Sequence, residues 1–174
     1  MRLLFTALAC LISVSVFGQD DFWADKYEES SIIDFEKLNE ITLNTITSPE
    51  NDLLLLPCFV SGQLDFYVFD TGCESGLNIS ENTFTLLLKN RKIKFQDYLG
   101  DATSIMADGS KSIVRVIVID EVIIGKPNNA VRLKNVLTTV SKSEESMLLL
   151  GQDIIKRFSI VAIDHTDKSI YLKK

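Results

Sequence analysis

From residue 53 to the C-terminus the chain is a series of short apolar runs, each cut off by a glycine, an Asp-Gly pair or a polar cluster. That punctuation limits what the chain can build. The runs at residues 53–60 and 64–69 are too short for core helices, and they flank Gly62 at hairpin spacing, with the turn near Ser61-Gly62-Gln63. "SIMADGSKSIVRVIVIDEVIIGK" reads as a second hairpin turning at Asp108-Gly109, a dipeptide that tolerates the positive φ of tight hairpin loops. Its second arm runs over 112–119, and "EVIIG" gives a further strand. "VRLKNVLTTV" and "MLLLG" are two more, and "SIVAIDHTDKSIYLKK" is a closing hairpin. Helical signals are few. Ser80 offers an N-cap with Glu81 in the first turn, and Phe84, Leu87 and Leu88 follow at helical spacing to about Lys89. "QDIIKRF" is a second short helix. The expected class is all-β: a closed, barrel-like lobe with one or two short helices.

The N-terminus is different in kind. "MRLLFTALACLISVSVFGQDD" places Arg2 before an apolar run, then small residues and an abrupt acidic stretch, the pattern of a secretion signal over 1–18 with cleavage near Gly18. The run is shorter than the roughly 20 apolar residues of a membrane span, and Cys10 sits midway in it rather than at its end. The expectation is a secreted or periplasmic chain with no membrane attachment. Residues 19–49 form an acidic extension, with a short helix around 32–38 and a first strand at "EITLNTI", ahead of a domain at 50–174. Removing residues 1–18 takes away Arg2 and no acid, so the formal charge moves from −6 to −7. A chain this acidic lacks the basic footprint that nucleic acid requires. Of three cysteines, Cys10 leaves with the signal. Cys58 lies on a strand and Cys73 past the end of its neighbour, farther apart than the roughly 7 Å a bridge allows, so two free thiols are expected.

Most chemistries can be set aside. The one histidine, His165, lies in the polar turn "DHTDK", where a surface role fits better than a catalytic one. No His/Cys cluster has zinc spacing, no glycine-rich phosphate loop occurs, and no acid pattern matches a calcium loop. What remains is "FYVFDTGCESGLNIS". Asp70 ends an apolar strand, where a carboxylate is costly unless paired or used. Gly72 permits close backbone approach, and Thr71 adds a hydroxyl.

This ordered set resembles the retropepsin-like, single-lobe aspartic proteases, in particular their exported bacterial members. "FYVFDTGCESGLNIS" is similar to their strand and catalytic Asp-Thr-Gly turn, "MADGS" to their flap tip, and "LLLGQDIIKRFSIVAIDHTDKSIYL" to their hydrophobic-hydrophobic-Gly segment, helix and closing hairpin. The resemblance implies an acid-protease lobe with a β-hairpin flap. It implies Asp70 as catalytic acid supported by Thr71 and Gly72, with Ala107, Asp108 and Gly109 at the flap and Leu149, Leu150 and Gly151 in the late apolar segment. It implies peptide or protein substrates, a homodimer, and neither cofactor nor metal. Two departures stand out. Cys73 replaces the usual Ala or Ser, and Glu74 and Gln152 stand where retroviral relatives carry an Asp–Arg pair that braces the dimer. A non-hydrolytic peptide-binding or assembly module on the same fold is the other function class open to the sequence.

Overall fold

The computed structural model describes residues 32–48, 52–106, 108–143 and 146–174. In chain order they form β1 (Ile32–Asp34), β2 (Glu40–Asn44), β3 (Ile46–Thr47), β4 (Leu54–Val60), β5 (Gln63–Phe69), β6 (Leu77–Ile79), α1 (Glu81–Lys89), β7 (Tyr98–Ile105), β8 (Lys111–Lys126), β9 (Asn129–Val140), β10 (Leu149–Leu150), α2 (Gln152–Ile155), β11 (Ile160–Asp164) and β12 (Ser169–Lys173). The class is mostly β, as the punctuation implied.

Local chemistry sets the hairpins. β4 and β5 pair antiparallel up to Val60↔Gln63, leaving Ser61-Gly62 as a two-residue loop with φ of 52° and 91°. Positive φ at both loop residues matches the right-handed twist of the strands, and glycine adopts it without strain. α1 starts where Ser80 Oγ accepts from the Thr83 N–H at 3.2 Å, a cap of about 1 kcal/mol, and it buries Thr83 and Leu87.

Ring closure is not local. β8 pairs with both β4 and β9, so β9, β6, β10, β5, β4 and β8 form a closed ring, with β1, β3 and β7 attached outside it. Two of its contacts are parallel, β6 on β9 and β10 on β5. Inside lie Leu56, Tyr67, Leu77, Ile117, Leu133 and Leu150, all fully buried. Burying a large aliphatic side chain is worth about 1.5–3 kcal/mol. A second sheet, ordered β11-β12-β2, packs Ile170, Leu172, Ile41 and Leu43 into the same core.

Three sequence expectations change. The arm at 112–119 and the strand at "EVIIG" are one 16-residue strand, because β9 pairs along it from Arg115 to Lys126. The helix expected around 32–38 is instead β1, parallel to Ala130–Arg132, and a single 3-10 turn at Phe35–Lys37. β-branched Ile32 and Ile33 suit a strand, and β9 offers them an edge. The boundary near residue 50 also moves, since β2 pairs along all of β12 and buries Ile41 and Leu43. Residues 32–48 are therefore part of the fold. The expected signal segment and residues 19–31 lie outside the described residues. No helix among those described is long and apolar enough to cross a membrane.

Candidate active site

Asp70 follows β5 directly, where β10 is wedged between two strands. Leu149 and Leu150 pair in parallel with Val68 and Phe69 and antiparallel with Asn78 and Leu77. The Val68 and Asp70 N–H groups donate to the carbonyls of Leu148 and Leu150, each at 2.9 Å. Both flanks of the acid are thus fixed by backbone. The carboxylate is fixed by its own turn, since Asp70 Oδ1 accepts from the Gly72 N–H at 2.8 Å. Asp70 is half-buried, while Thr71 and Gly72 are exposed.

Glycine lets the two loops meet. A Cβ on Gly151 would run into the Cys73 carbonyl, and would lie 2.5 Å from the Ser75 carbonyl and 2.8 Å from Cys73 Cβ. In return the Gly151 N–H donates to the Gly76 carbonyl at 2.8 Å. The late apolar segment Leu149-Leu150-Gly151 therefore lies against the Asp70 loop.

Gln152 supplies a contact that sequence reasoning left open. Its backbone N–H donates to the Cys73 carbonyl at 2.7 Å, and its side-chain Nε2 donates to the Thr71 carbonyl at 2.7 Å. The loop is held from within the chain at the position where an arginine is absent. Ser75 was not singled out from sequence at all. Its hydroxyl lies 3.2 Å from Cys73 Sγ and 3.1 Å from Thr139 Oγ1, and donates to the Leu77 carbonyl at 2.8 Å. No local pattern links Ser75 to Thr139; only the parallel β6–β9 pairing does. Cys58 and Cys73 are both free. Burial pushes the Cys73 thiol up, opposed by the hydrogen bonds from Ser75.

The β7–β8 hairpin carries Asp108 and Gly109 at its turn, and Ala107 lies outside the described residues. Hydrogen bonding from Ser110, first from its side chain and then from its N–H to Asp108 Oδ1 at 2.9 Å, holds that carboxyl below the usual range, and Gly109 takes φ 81°. Ile105, Met106 and Ile113 beside the turn are exposed. The described part of this turn makes no hydrogen bond to the Asp70 loop. The structure thus unites Asp70, Thr71 and Gly72 with Leu149, Leu150 and Gly151, and leaves the hairpin turn separate. His165 is exposed in the β11–β12 loop. Two cavities, of about 340 and 360 Å³, lie away from Asp70. Among the described residues no group of three His, Cys, Asp or Glu is placed to hold a metal.

The fold as a whole has a solved counterpart. The crystal structure of a retropepsin-like aspartic protease from Rickettsia conorii is similar at a TM-score of 0.52 and 22% identity, over 76% of this chain and 89% of that chain. The fold is retropepsin-like. The retroviral protease-like domain of Ddi1 from Leishmania major is also similar, at a TM-score of 0.42 and 16% identity, over 68% of this chain and 82% of that one. No family model and no curated protein matches the sequence. This retropepsin-like lobe carries a single Asp-Thr-Gly.

Proposed function

We propose that this lobe is one half of a dimeric aspartic endopeptidase. One observation carries the reading: the Asp70 carboxylate is aimed by the Gly72 N–H on a rigid loop whose outer face is open. A structural acid at the end of a core strand would be expected to spend its oxygens on neighbouring groups. Among the described residues this one is tied only to its own turn.

Acid hydrolysis of a peptide needs two carboxylates, and one lobe supplies one. Two such groups in contact cannot both ionise, so they share a proton. The ionised acid takes a proton from water as its oxygen attacks the scissile carbonyl carbon, and the protonated acid donates to the carbonyl oxygen. A two-fold axis beside Thr71 brings Asp70 of each subunit together. Gly72 and the hairpin around Asp108 and Gly109 then take an extended peptide as an added strand.

The second sheet offers the surface for pairing. Among the described residues β11 bonds only to β12, and Ile160 and Ile163 on this open edge remain 48% and 40% exposed. Such an edge invites strand addition. Antiparallel pairing of two copies about Ala162 sets Val161 against Ile163 in both directions. Secretion through residues 1–18 belongs to the same proposal, supported by the cationic start, apolar run and small residues of that segment.

The test is Asp70→Asn, which removes the acid without altering shape. The purified wild-type chain should cleave denatured protein in a bell-shaped pH profile. The variant should be inactive, and in excess it should poison the wild type through mixed dimers. Equal activity in the two proteins would defeat the protease reading; peptide binding without cleavage in either would favour the binding module.

A further inference from the structure

Gln152 opens α2, and its backbone is fixed before its side chain is used. Gly151, packed against the Cys73 and Ser75 carbonyls, caps the helix. Its carbonyl accepts from the Ile154 and Ile155 N–H groups at 3.1 Å each, and Ile154 is buried in the core. From that start Gln152 grips the acid loop twice. Its backbone N–H donates to the Cys73 carbonyl and its Nε2 to the Thr71 carbonyl, each at 2.7 Å. The two carbonyls flank Gly72.

The Thr71 carbonyl belongs to the same peptide unit as the Gly72 N–H. In a planar trans peptide these two groups point in opposite directions. The Gly72 N–H donates to Asp70 Oδ1 at 2.8 Å. Gln152 Nε2, the Thr71–Gly72 peptide and the Asp70 carboxylate therefore form one chain of hydrogen bonds. Bonds in series polarise one another, so a donor on the carbonyl strengthens the N–H as a donor to the acid. Without Gln152 the peptide would be held at one edge only, with Thr71 and Gly72 exposed and a glycine that lets the plane turn. The fit is close, since a Cβ on Gly72 would stand 3.2 Å from Asp70 Oδ1.

We infer that Gln152 is a positioning residue for Asp70: it clamps the Thr71–Gly72 peptide so that the Gly72 N–H stays aimed at Oδ1. Its effect on hydrolysis rests on the reading of Asp70 as a reacting acid, whereas the clamp itself does not. Every bond in the clamp lies within one chain, so the loop takes this shape without a second subunit. A partner lobe adds the second acid and leaves the order of the first unchanged.

Amide hydrogen exchange in the folded chain, read residue by residue by NMR, tests the clamp. Gln152→Leu keeps the bulk and the backbone bond to Cys73 but removes the side-chain donor. Exchange at Gly72 should quicken by about fivefold, the worth of one hydrogen bond. The Asp70 amide, which donates to the Leu150 carbonyl, should keep its protection, as should the circular dichroism. Gln152→Glu keeps the shape, but near neutral pH its carboxylate can only accept and faces a carbonyl, so Gly72 should exchange faster still. Below about pH 4 the protonated glutamic acid can donate, and the rate relative to wild type should fall back. In cleavage assays near neutral pH both variants should lower kcat by about tenfold or more at unchanged KM, because the acid is misaimed while peptide binding is kept. Gly72 exchange that is the same in wild type and both variants overturns the inference. So does a raised KM with kcat held, or protection at Gly72 that falls on dilution, which would mean that the partner orders the loop. A wild type that cleaves nothing defeats the protease reading, and the amide rates still decide the clamp.

Discussion

Gly151→Ala isolates the contact on which the acid loop depends. The backbone at Gly151 sits at φ −126° and ψ −160°, a conformation any residue adopts. Removing the glycine's freedom in the unfolded chain would by itself stabilise the fold by about 0.4–1 kcal/mol. Against that, the new methyl meets the Cys73 carbonyl, the Ser75 carbonyl and Cys73 Cβ, all at 2.8 Å or less. Overpacking costs about 1–3 kcal/mol, at the upper end here because two of the three atoms are backbone and cannot rotate away. The net loss is about 2 kcal/mol. For a chain of this size that lowers the melting temperature by roughly 4–8 °C. Urea titration should show a lower midpoint with an unchanged slope, since the surface exposed on unfolding is the same. The strain falls on the loop that aims Asp70, so any proteolysis should drop further than stability. Gly100→Ala is the control: nothing lies within 4 Å of its Cβ, and only its φ of 127° resists. An alanine at 151 that leaves the midpoint unchanged or raises it would refute the close-contact argument.

Ile163→Lys on the open edge of β11 should convert a dimer to a monomer in sedimentation while leaving the fold intact, because the residue is already 40% exposed. A dimer that persists would move the interface elsewhere. Thiol labelling should follow burial and pH together. Cys73 and Cys58 are both pushed up, chiefly by burial and far more strongly at Cys58. Raised thiols hold less thiolate at a given pH, so labelling of native Cys73 should climb later with pH than that of a free thiol. Cys58 should react only on unfolding; its labelling first in the native chain would contradict the packing.

The sequence by itself determined what is encoded within a few residues. Ser61-Gly62 and Gly109 specify their hairpins through positive φ, Ser80 starts α1 through its hydroxyl, and the polar cluster at 165–168 turns β11 into β12. The acid at the end of an apolar strand was legible for the same reason: its oddity is local. Tertiary structure decided what rests on partners far along the chain. β10 is two residues long and would have no stability alone, and it is a strand only because β5 and β6 supply bonds on both sides. Ile32 and Ile33 could start a helix or a strand, and the edge of β9 settles it. Ile41 and Leu43 alternate as a strand would, but that they are core is decided by β12 lying beside them. Ser75 and Thr139 carried no signal, and Gln152 stood out only as a departure from an expected arginine, since a hydrogen bond between residues 64 or more apart leaves no period in the sequence. Turn geometry is set by short-range sterics, whereas ring closure depends on which distant edges become available once the chain has collapsed.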